Sequence, residues 1–369
     1  MLNNPENKAY TLILFGIVYL LYLVTSCSSD NTKKIDDEIL ITKISYDSLI
    51  VHKSKKLPID NYNIIVLNNL KDECLFSQNS KTIIKDSIIY ILDRGRNKKL
   101  VKYDLKGNAL SKIGELGQGP KEYMNITDFD VAENGDIYIL DAMQNIVLTF
   151  NNRGEFVDRH LVPHDIFAIR RLNDGGFLLG VYPWDRHGSK YNVIKVNPNF
   201  EEIGGILPMN TKYDSNYLFR FPEIGKSDSG YSFNYEIDNN ITILNSEGDI
   251  CAIYSLDFGK FNVLDNDKDN VEDNANINNS RFIVGATYYD NNNLWLNIHN
   301  RQDFCWIKID LIKNEALYVP VESSQQFVGF HNGYPIITSN DIDNCPIEIS
   351  DSIKNLVETQ EHHFIAIHE

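Results

Sequence analysis

The residues between Ser80 and Leu161 constrain this chain more than any others, because they pass twice through one pattern. The first copy is I-I-Y-I-L-D (Ile88–Asp93) followed by L-V-K-Y-D-L-K-G-N-A-L (Leu100–Leu110). The second is D-I-Y-I-L-D (Asp136–Asp141) followed by I-V-L-T-F-N-N-R-G-E-F-V (Ile146–Val157). Each copy is an apolar, β-branched and aromatic run closed by Asp, then a polar turn, a second such run, and a Gly turn into a third. Short runs of this kind between turn residues are consecutive antiparallel strands. A strand-only repeat of nearly fifty residues predicts a β-propeller.

The repeat can be followed through the Asp or Asn that ends the third-strand hydrophobics, since short side chains that bond their own backbone favour a tight turn there. It recurs as Asp104, Asn151, Asn197, Asn245 and Asp310, in steps of 47, 46, 48 and 65 residues. The long last step contains the insertion Asp265–Ser280. Five blades are visible in this way. A sixth is assembled from the chain ends: Gln326–Ser339 reads as a hairpin, and His363–His368 and Asn63–Leu67 as lone strands. Pairing the termini in one blade closes the ring and leaves no open edge between blades. Apolar residues at Ile349, Ile353, Leu356 and Val357 predict a short surface helix within Ile347–Gln360. Ile39–Ile59 is expected to add strands outside the ring. The expectation is thus all-β: a six-bladed propeller of four-stranded antiparallel blades, spanning residues 61–369 after a tether and N-terminal strands at 28–60.

Residues 1–27 read as an export signal. Lys8 precedes an apolar run of 14 residues, Thr11–Val24, too short to span a bilayer comfortably. The run ends in Val24-Thr25-Ser26-Cys27, which resembles the bacterial lipobox. That resemblance implies cleavage before Cys27, a lipid on its thiol, and an envelope protein anchored to the outer membrane. More than one acyl chain on a residue gives stable anchoring.

The chain as a whole resembles the six-bladed propeller lipoproteins of Bacteroidetes-type bacteria, relatives of NHL-repeat propellers. The matching residues are Ile89–Asp93, Tyr103–Gly107, Gly117–Tyr123 (G-Q-G-P-K-E-Y, the most specific), Asp128–Val131 and Ile137–Asp141. The resemblance implies fold and address, and no chemistry.

A net charge of -16 without a basic cluster argues against a nucleic-acid partner. Cys74, Cys251, Cys305 and Cys345 lack zinc-type spacing, so mostly buried free thiols are expected, with one or two disulfides as the alternative. Gly114, Gly117, Gly119 and Pro120 are not followed by the Lys-Ser/Thr of a phosphate loop. They predict a blade crossover needing positive φ, pinned by Glu122 and Tyr123. Asp93 and Asp141 recur in phase and therefore read as turn residues.

Four further features carry possible chemistry. Tyr182, Trp184, Arg186 and His187 in Y-P-W-D-R-H-G-S form the candidate ligand platform: aromatic faces for stacking and a guanidinium for carboxylate or phosphate. Tyr213–Phe221 is a second aromatic loop. Asp265, Asp267, Asp269 and Asp273 partly mimic a calcium loop, but Asn270 and Asn276 replace its Gly and bidentate Glu. No cofactor is therefore expected, with Ca2+ as the exception. His363 and His368, five apart on a strand, face opposite sides. No nucleophile–base–acid set can be placed, and no catalytic or metal residue is assigned. The expected role is a monomeric, lipid-anchored platform for a glycan, peptide or envelope protein. The alternative is a metal-dependent lactonase or lyase with its site in the central channel. Inward-facing residues of different blades decide between these.

Overall fold

The computed structural model describes residues 41–57, 61–68, 70–209, 223–235, 237–268, 277–301, 303–321, 327–338, 342, 345–360 and 363–368. They form a six-bladed β-propeller. Blade one is Lys81–Lys85, Ile88–Asp93, Lys99–Asp104 and Ala109–Ile113. Blade two is Asp128–Val131, Ile137–Asp141, Ile146–Phe150 and Phe156–Leu161. Blade three is Ile166–Arg171, Phe177–Val181, Tyr191–Val196 and Glu202–Pro208. Blade four is Gly225–Ser227, Gly230–Asn234, Asn240–Leu244 and Ile250–Asp257. In blade five the innermost strand is broken into Arg281–Ile283 and Tyr288–Asp290, both paired to Asn293–Asn300; Asp303–Asp310 and Glu315–Val321 follow.

Blade six joins the two ends of the chain. Phe327–His331, Tyr334–Ile337 and His363–His368 take Tyr62–Leu67 as their outermost strand, antiparallel, with His363 opposite Leu67 and His368 opposite Tyr62. The predicted helix is present as Asp351–Gln360. The strands expected outside the ring are Ile41–Ser45 and Ile50–Lys53. They add in parallel to the outermost strands of blades four and five. Ile41–Ser45, Ile50–Lys53 and Tyr62–Leu67 therefore edge three successive blades.

Each sheet is sandwiched between two others, so its middle strands are buried on both faces. That is why Ile88–Asp93 and Ile137–Asp141 read as nearly continuous apolar runs. The core divides accordingly into clusters at the blade interfaces. Ile91 and Ile365 share one between blades six and one, Phe129 and Leu100 another between blades one and two, and Trp295 and Phe364 a third between blades five and six.

The recurrent Asx residue does what the repeat requires. Asp104, Asn151, Asn197 and Asn245 each accept the backbone N–H groups two and four residues ahead. Three of these turns complete with Gly in the left-handed region, at Gly107, Gly154 and Gly248; blade three uses Phe200 at φ 63° instead. Its ring stacks on Phe177 at 4.5 Å, which holds an aromatic residue in a conformation it otherwise avoids.

One expectation is corrected. At the crossover after blade one, only Gly114 has positive φ. Gly117 is required for a different reason: a Cβ there would lie 2.0 Å from Glu122 Oε2, and that carboxylate accepts the Gly119 N–H at 2.8 Å. Tyr123 is buried beside it, as a pinning residue should be. The cysteines are as expected: all four described thiols are free and three are buried, Cys251 alone among them being exposed on the outermost strand of blade four. Burial pushes the Cys305 thiol up to about 12 and the Cys345 thiol up to about 11, so both stay protonated.

Candidate functional site

The first strand of each blade pairs on one side only and presents its other edge to the channel. Such an edge leaves backbone groups needing partners. Blade two supplies them with side chains. Asp128 and Asp130 alternate with Phe129, so the ring enters the core while both carboxylates face the other way. Asp128 accepts the Ile169 N–H at 3.0 Å and Asp130 the Arg171 N–H at 2.7 Å. Lys81 of blade one donates to the Phe129 carbonyl at 2.8 Å, and Lys226 of blade four donates to Asp130 at 2.9 Å.

Asp128 is the hub of a buried ion network. Arg170 lies at 2.5 Å, Lys81 at 2.7 Å and Arg94 at 3.6 Å. Glu223 joins from the segment entering blade four, 3.0 Å from Arg170 and 3.8 Å from Lys81. Burial pushes the Asp128 carboxyl up. Arg170, Lys81 and Arg94 outweigh that and hold it well below the usual carboxylate range. Burial, then Arg170, pushes the Lys81 amine down, against the pull of Asp128 and Glu223. The network fills the middle of the channel.

On one side of it opens a cup of about 770 Å³, toward the turns between first and second strands. Its wall includes Lys226, Glu223, Tyr231, Tyr288, Phe330 and His331. Tyr288 stacks on Phe330 at 4.9 Å, and burial, then Glu223, raises its phenol pKa well. The Tyr288 hydroxyl makes no hydrogen bond among the described residues. Burial lowers the pKa of the half-buried His331, against the pull of Asp228. Of the carboxylates in its wall, Asp130 and Glu223 pair with Lys226 and Arg170, and Asp228 lies there too. Among the described residues no group of three metal-ligating side chains lines the cup.

At the opposite end of the channel, Asp93 and Asp141 clamp the turns between second and third strands. Asp93 accepts the N–H groups of Ser77 and Gly95; Asp141 accepts those of Met124 and Met143. In blade three the same task falls to Asp185, which accepts the Asp165 and Ser189 N–H groups.

The predicted platform is here, and the structure brings only half of it together. Tyr182 and Trp184 stack at 4.5 Å and 20°. Arg186 instead closes its fork on Asp165, with Nε at 2.9 Å and Nη2 at 2.7 Å. His187 lies 6.3 Å from His164, ring to ring, and His164 bridges Asp185 and Glu202 at 2.9 and 3.0 Å. Asp165, Asp185 and His187 come within 4.8 Å of one another, but the two carboxylates are already spent on Arg186, His164 and backbone N–H groups.

The model of the domain of unknown function DUF4934 matches residues 43–362. The chain belongs to this family. No curated protein sequence matches it. In fold, this DUF4934 chain is similar to a Bacteroides fragilis protein described as exported: TM-score 0.70 and 18% identity, covering 89% of this chain and all of that one. It is also similar to a DUF4221-family protein of Bacteroides vulgatus, with a TM-score of 0.56 at 8% identity, over 85% of this chain and 98% of that one. Among the described residues no helix is long and apolar enough to cross a membrane.

Other predicted features of the DUF4934 chain are placed or fall outside. His363 stacks on Phe76 at 4.3 Å and His368 on Tyr334 at 3.9 Å. Asp265 pairs with Lys268 at 3.1 Å; Asp269, Asn270, Asp273 and Asn276 lie outside the described residues, as do Tyr213–Phe221 and Cys27. The channel residues escaped the sequence reading. A signal was present: Asp128 and Asp130, Arg170 and Arg171, and Lys81 are charges on the first strand of a blade, while the second strand beside each is an apolar run.

Proposed function

We propose that this chain is an envelope protein, anchored to the outer membrane through a lipid on Cys27, that binds a small polyhydroxylated ligand such as a glycan fragment in the channel cup, without catalysis. The observation that carries this reading is the convergence of the innermost strands on one cup whose wall carries hydrogen-bonding groups without a partner among the described residues. Tyr288 Oη, the His331 imidazole and the second oxygen of Glu223 are hydrogen-bonding groups left for a ligand. A cup of about 770 Å³ is of ligand size. The buried amine, Lys81, spends its protons on Asp128 and the Phe129 carbonyl, so it is not a nucleophile. For the metal-dependent alternative, no group of three metal-ligating side chains lines the cup among the described residues.

Thermal unfolding of the chain from Ser28 onward, against a panel of neutral mono- to trisaccharides, tests the cup. A ligand at about 100 times its Kd adds about 2.7 kcal/mol. The shift should vanish in the double variant Tyr288→Phe/His331→Ala, which should still unfold cooperatively. A folded protein that no saccharide, peptide or small acid shifts would sink the reading. For the anchor, Cys27→Ser should abolish incorporation of labelled fatty acid and release the protein from the membrane fraction. Label retained by that variant would refute a lipid on Cys27.

A further inference from the structure

Every lysine and arginine in the wall of the cup has a partner. Lys81 and Arg170 belong to the Asp128 network, Lys85 pairs with Glu133 at 2.5 Å, and Lys226 pairs with Asp130 at 2.9 Å. Arg171 donates to the Gly175 carbonyl and lies over the Phe177 ring, 4.6 Å from its centre. On the acidic side, Asp130, Glu133 and Glu223 are taken up by these cations, and Asp228 is left. Asp228 is exposed and makes no hydrogen bond or ion pair among the described residues. The titratable group facing it is His331. Burial lowers the His331 pKa, so that imidazole is neutral at neutral pH and the Asp228 charge stands uncompensated.

Asp228 lies on the turn between the first two strands of blade four, and both of its neighbours tie that turn to blade five. Ser227 Oγ donates to the Tyr289 carbonyl at 2.5 Å, and Ser229 Oγ donates to Asp290 Oδ1 at 2.7 Å. Tyr288, beside Tyr289 in the chain, stacks on Phe330 of blade six at 4.9 Å with the rings 7° from parallel. Gly225–Ser227 and Phe327–His331 approach within 8 Å, Cα to Cα, across this stack. Gly225 is required there, since a Cβ on it would lie 1.8 Å from the Thr287 carbonyl oxygen of blade five. One stretch of the wall thus holds a carboxylate on a pinned turn, the half-buried Phe330 ring, the Tyr288 hydroxyl and the His331 imidazole.

We infer that the ligand of the cup is an amino sugar, whose ammonium pairs with Asp228 while its ring lies against Phe330 and its hydroxyls meet Tyr288 and His331. This rests on the cup reading above and narrows it to a charged class. An ammonium brings three N–H donors and one positive charge, which a carboxylate without a cation accepts. A neutral sugar would leave the Asp228 charge as it stands. The apolar face of a sugar ring suits an aromatic side chain, and a phenol and a neutral imidazole can each both donate to and accept from hydroxyls. Acetylation of the amine removes its charge, so an acetamido sugar does not meet the same demand.

Calorimetric titration of the chain from Ser28 onward at neutral pH, with D-glucosamine, D-glucose, N-acetyl-D-glucosamine and ethanolamine, tests this. Glucosamine should bind about fivefold tighter than glucose, the upper end for an ion pair open to solvent. N-acetylglucosamine should bind no tighter than glucose. Ethanolamine, an ammonium without the ring, should bind more weakly than glucosamine. In about 1 M sodium chloride the screening length falls to about 3 Å, so the preference for glucosamine should shrink while glucose binding persists. Asp228→Asn, on an exposed turn that suits Asn, should fold and bind glucosamine and glucose alike. Asp228→Glu should keep part of the preference. Glucose bound with no preference for glucosamine would overturn the amino-sugar inference and leave the cup reading standing. So would a preference that survives in folded Asp228→Asn, or ethanolamine bound as tightly as glucosamine. A folded protein that binds neither sugar would overturn both.

Discussion

Asp128→Asn should destabilise the propeller by about 3–5 kcal/mol at pH 7, the cost of breaking a buried ion pair by removing one partner. The substitution preserves shape and one acceptor oxygen for the Ile169 N–H, so packing changes little. It leaves Lys81, Arg94 and Arg170 facing Glu223 alone in a space where Asp128 is 1% exposed. Adding Lys81→Met restores the original excess of one cation, and the double variant should recover part of the loss. That recovery is the coupling energy of a double-mutant cycle. The pH dependence has a definite sign. The Asp128 pKa is depressed in the folded state, so its stabilisation is present above the unfolded carboxylate value of about 3.9 and lost as pH falls below it toward the folded value. Urea unfolding at pH 7 and at progressively lower pH should therefore show wild type and Asp128→Asn converging below about pH 4. A loss under about 1 kcal/mol at pH 7, as for surface pairs, would mean that water reaches the network and that it does not close the channel.

The fold was legible because its determinants are local. An Asx residue that bonds N–H groups two and four ahead leaves its mark within five residues, and four copies, with Asp310 bonding those two and three ahead, set the phase. Blade burial on both faces leaves apolar runs that need no partner to be recognised. Ring closure could be anticipated because unpaired strands at the two ends have one way to satisfy each other. The site was legible only in part. Tyr182 and Trp184 are two residues apart and stack as their types suggest. Which arginine keeps a free fork depends on contacts between distant segments: Arg186 is consumed by Asp165, 21 residues away, while the Arg94 guanidinium, beside an Asp128 already held by Lys81 and Arg170, makes no hydrogen bond among the described residues. Nothing local to Arg94 announces this. The D-F-D of Asp128–Asp130 could have been read further, since alternate carboxylates on a strand share one face. Which cations would meet them depends on how the blades are arranged around the channel.

Truncation after Gln360 should abolish folding altogether, although it removes only one short strand. His363–His368 is an inner member of blade six, with Tyr334–Ile337 on one side and Tyr62–Leu67 on the other. Its loss strands Tyr62–Leu67 without a partner and opens the ring. Phe364, Ile365 and Ile367 leave two core clusters, Phe364 that of Trp295 and Trp306, the isoleucines that of Ile91 and Val101. At about 1.5–3 kcal/mol for each large apolar side chain, the loss is about 5–9 kcal/mol before any hydrogen bond is counted. A domain is stable by only about 5–15 kcal/mol. The truncated chain should show no cooperative transition and no near-ultraviolet dichroism. A synthetic peptide covering residues 361–369, added in trans, should restore both in proportion to its concentration, because it supplies the missing strand to a prepared slot. A scrambled peptide should not. A truncated protein that unfolds cooperatively at the wild-type temperature would show that the ring does not depend on the pairing of its ends.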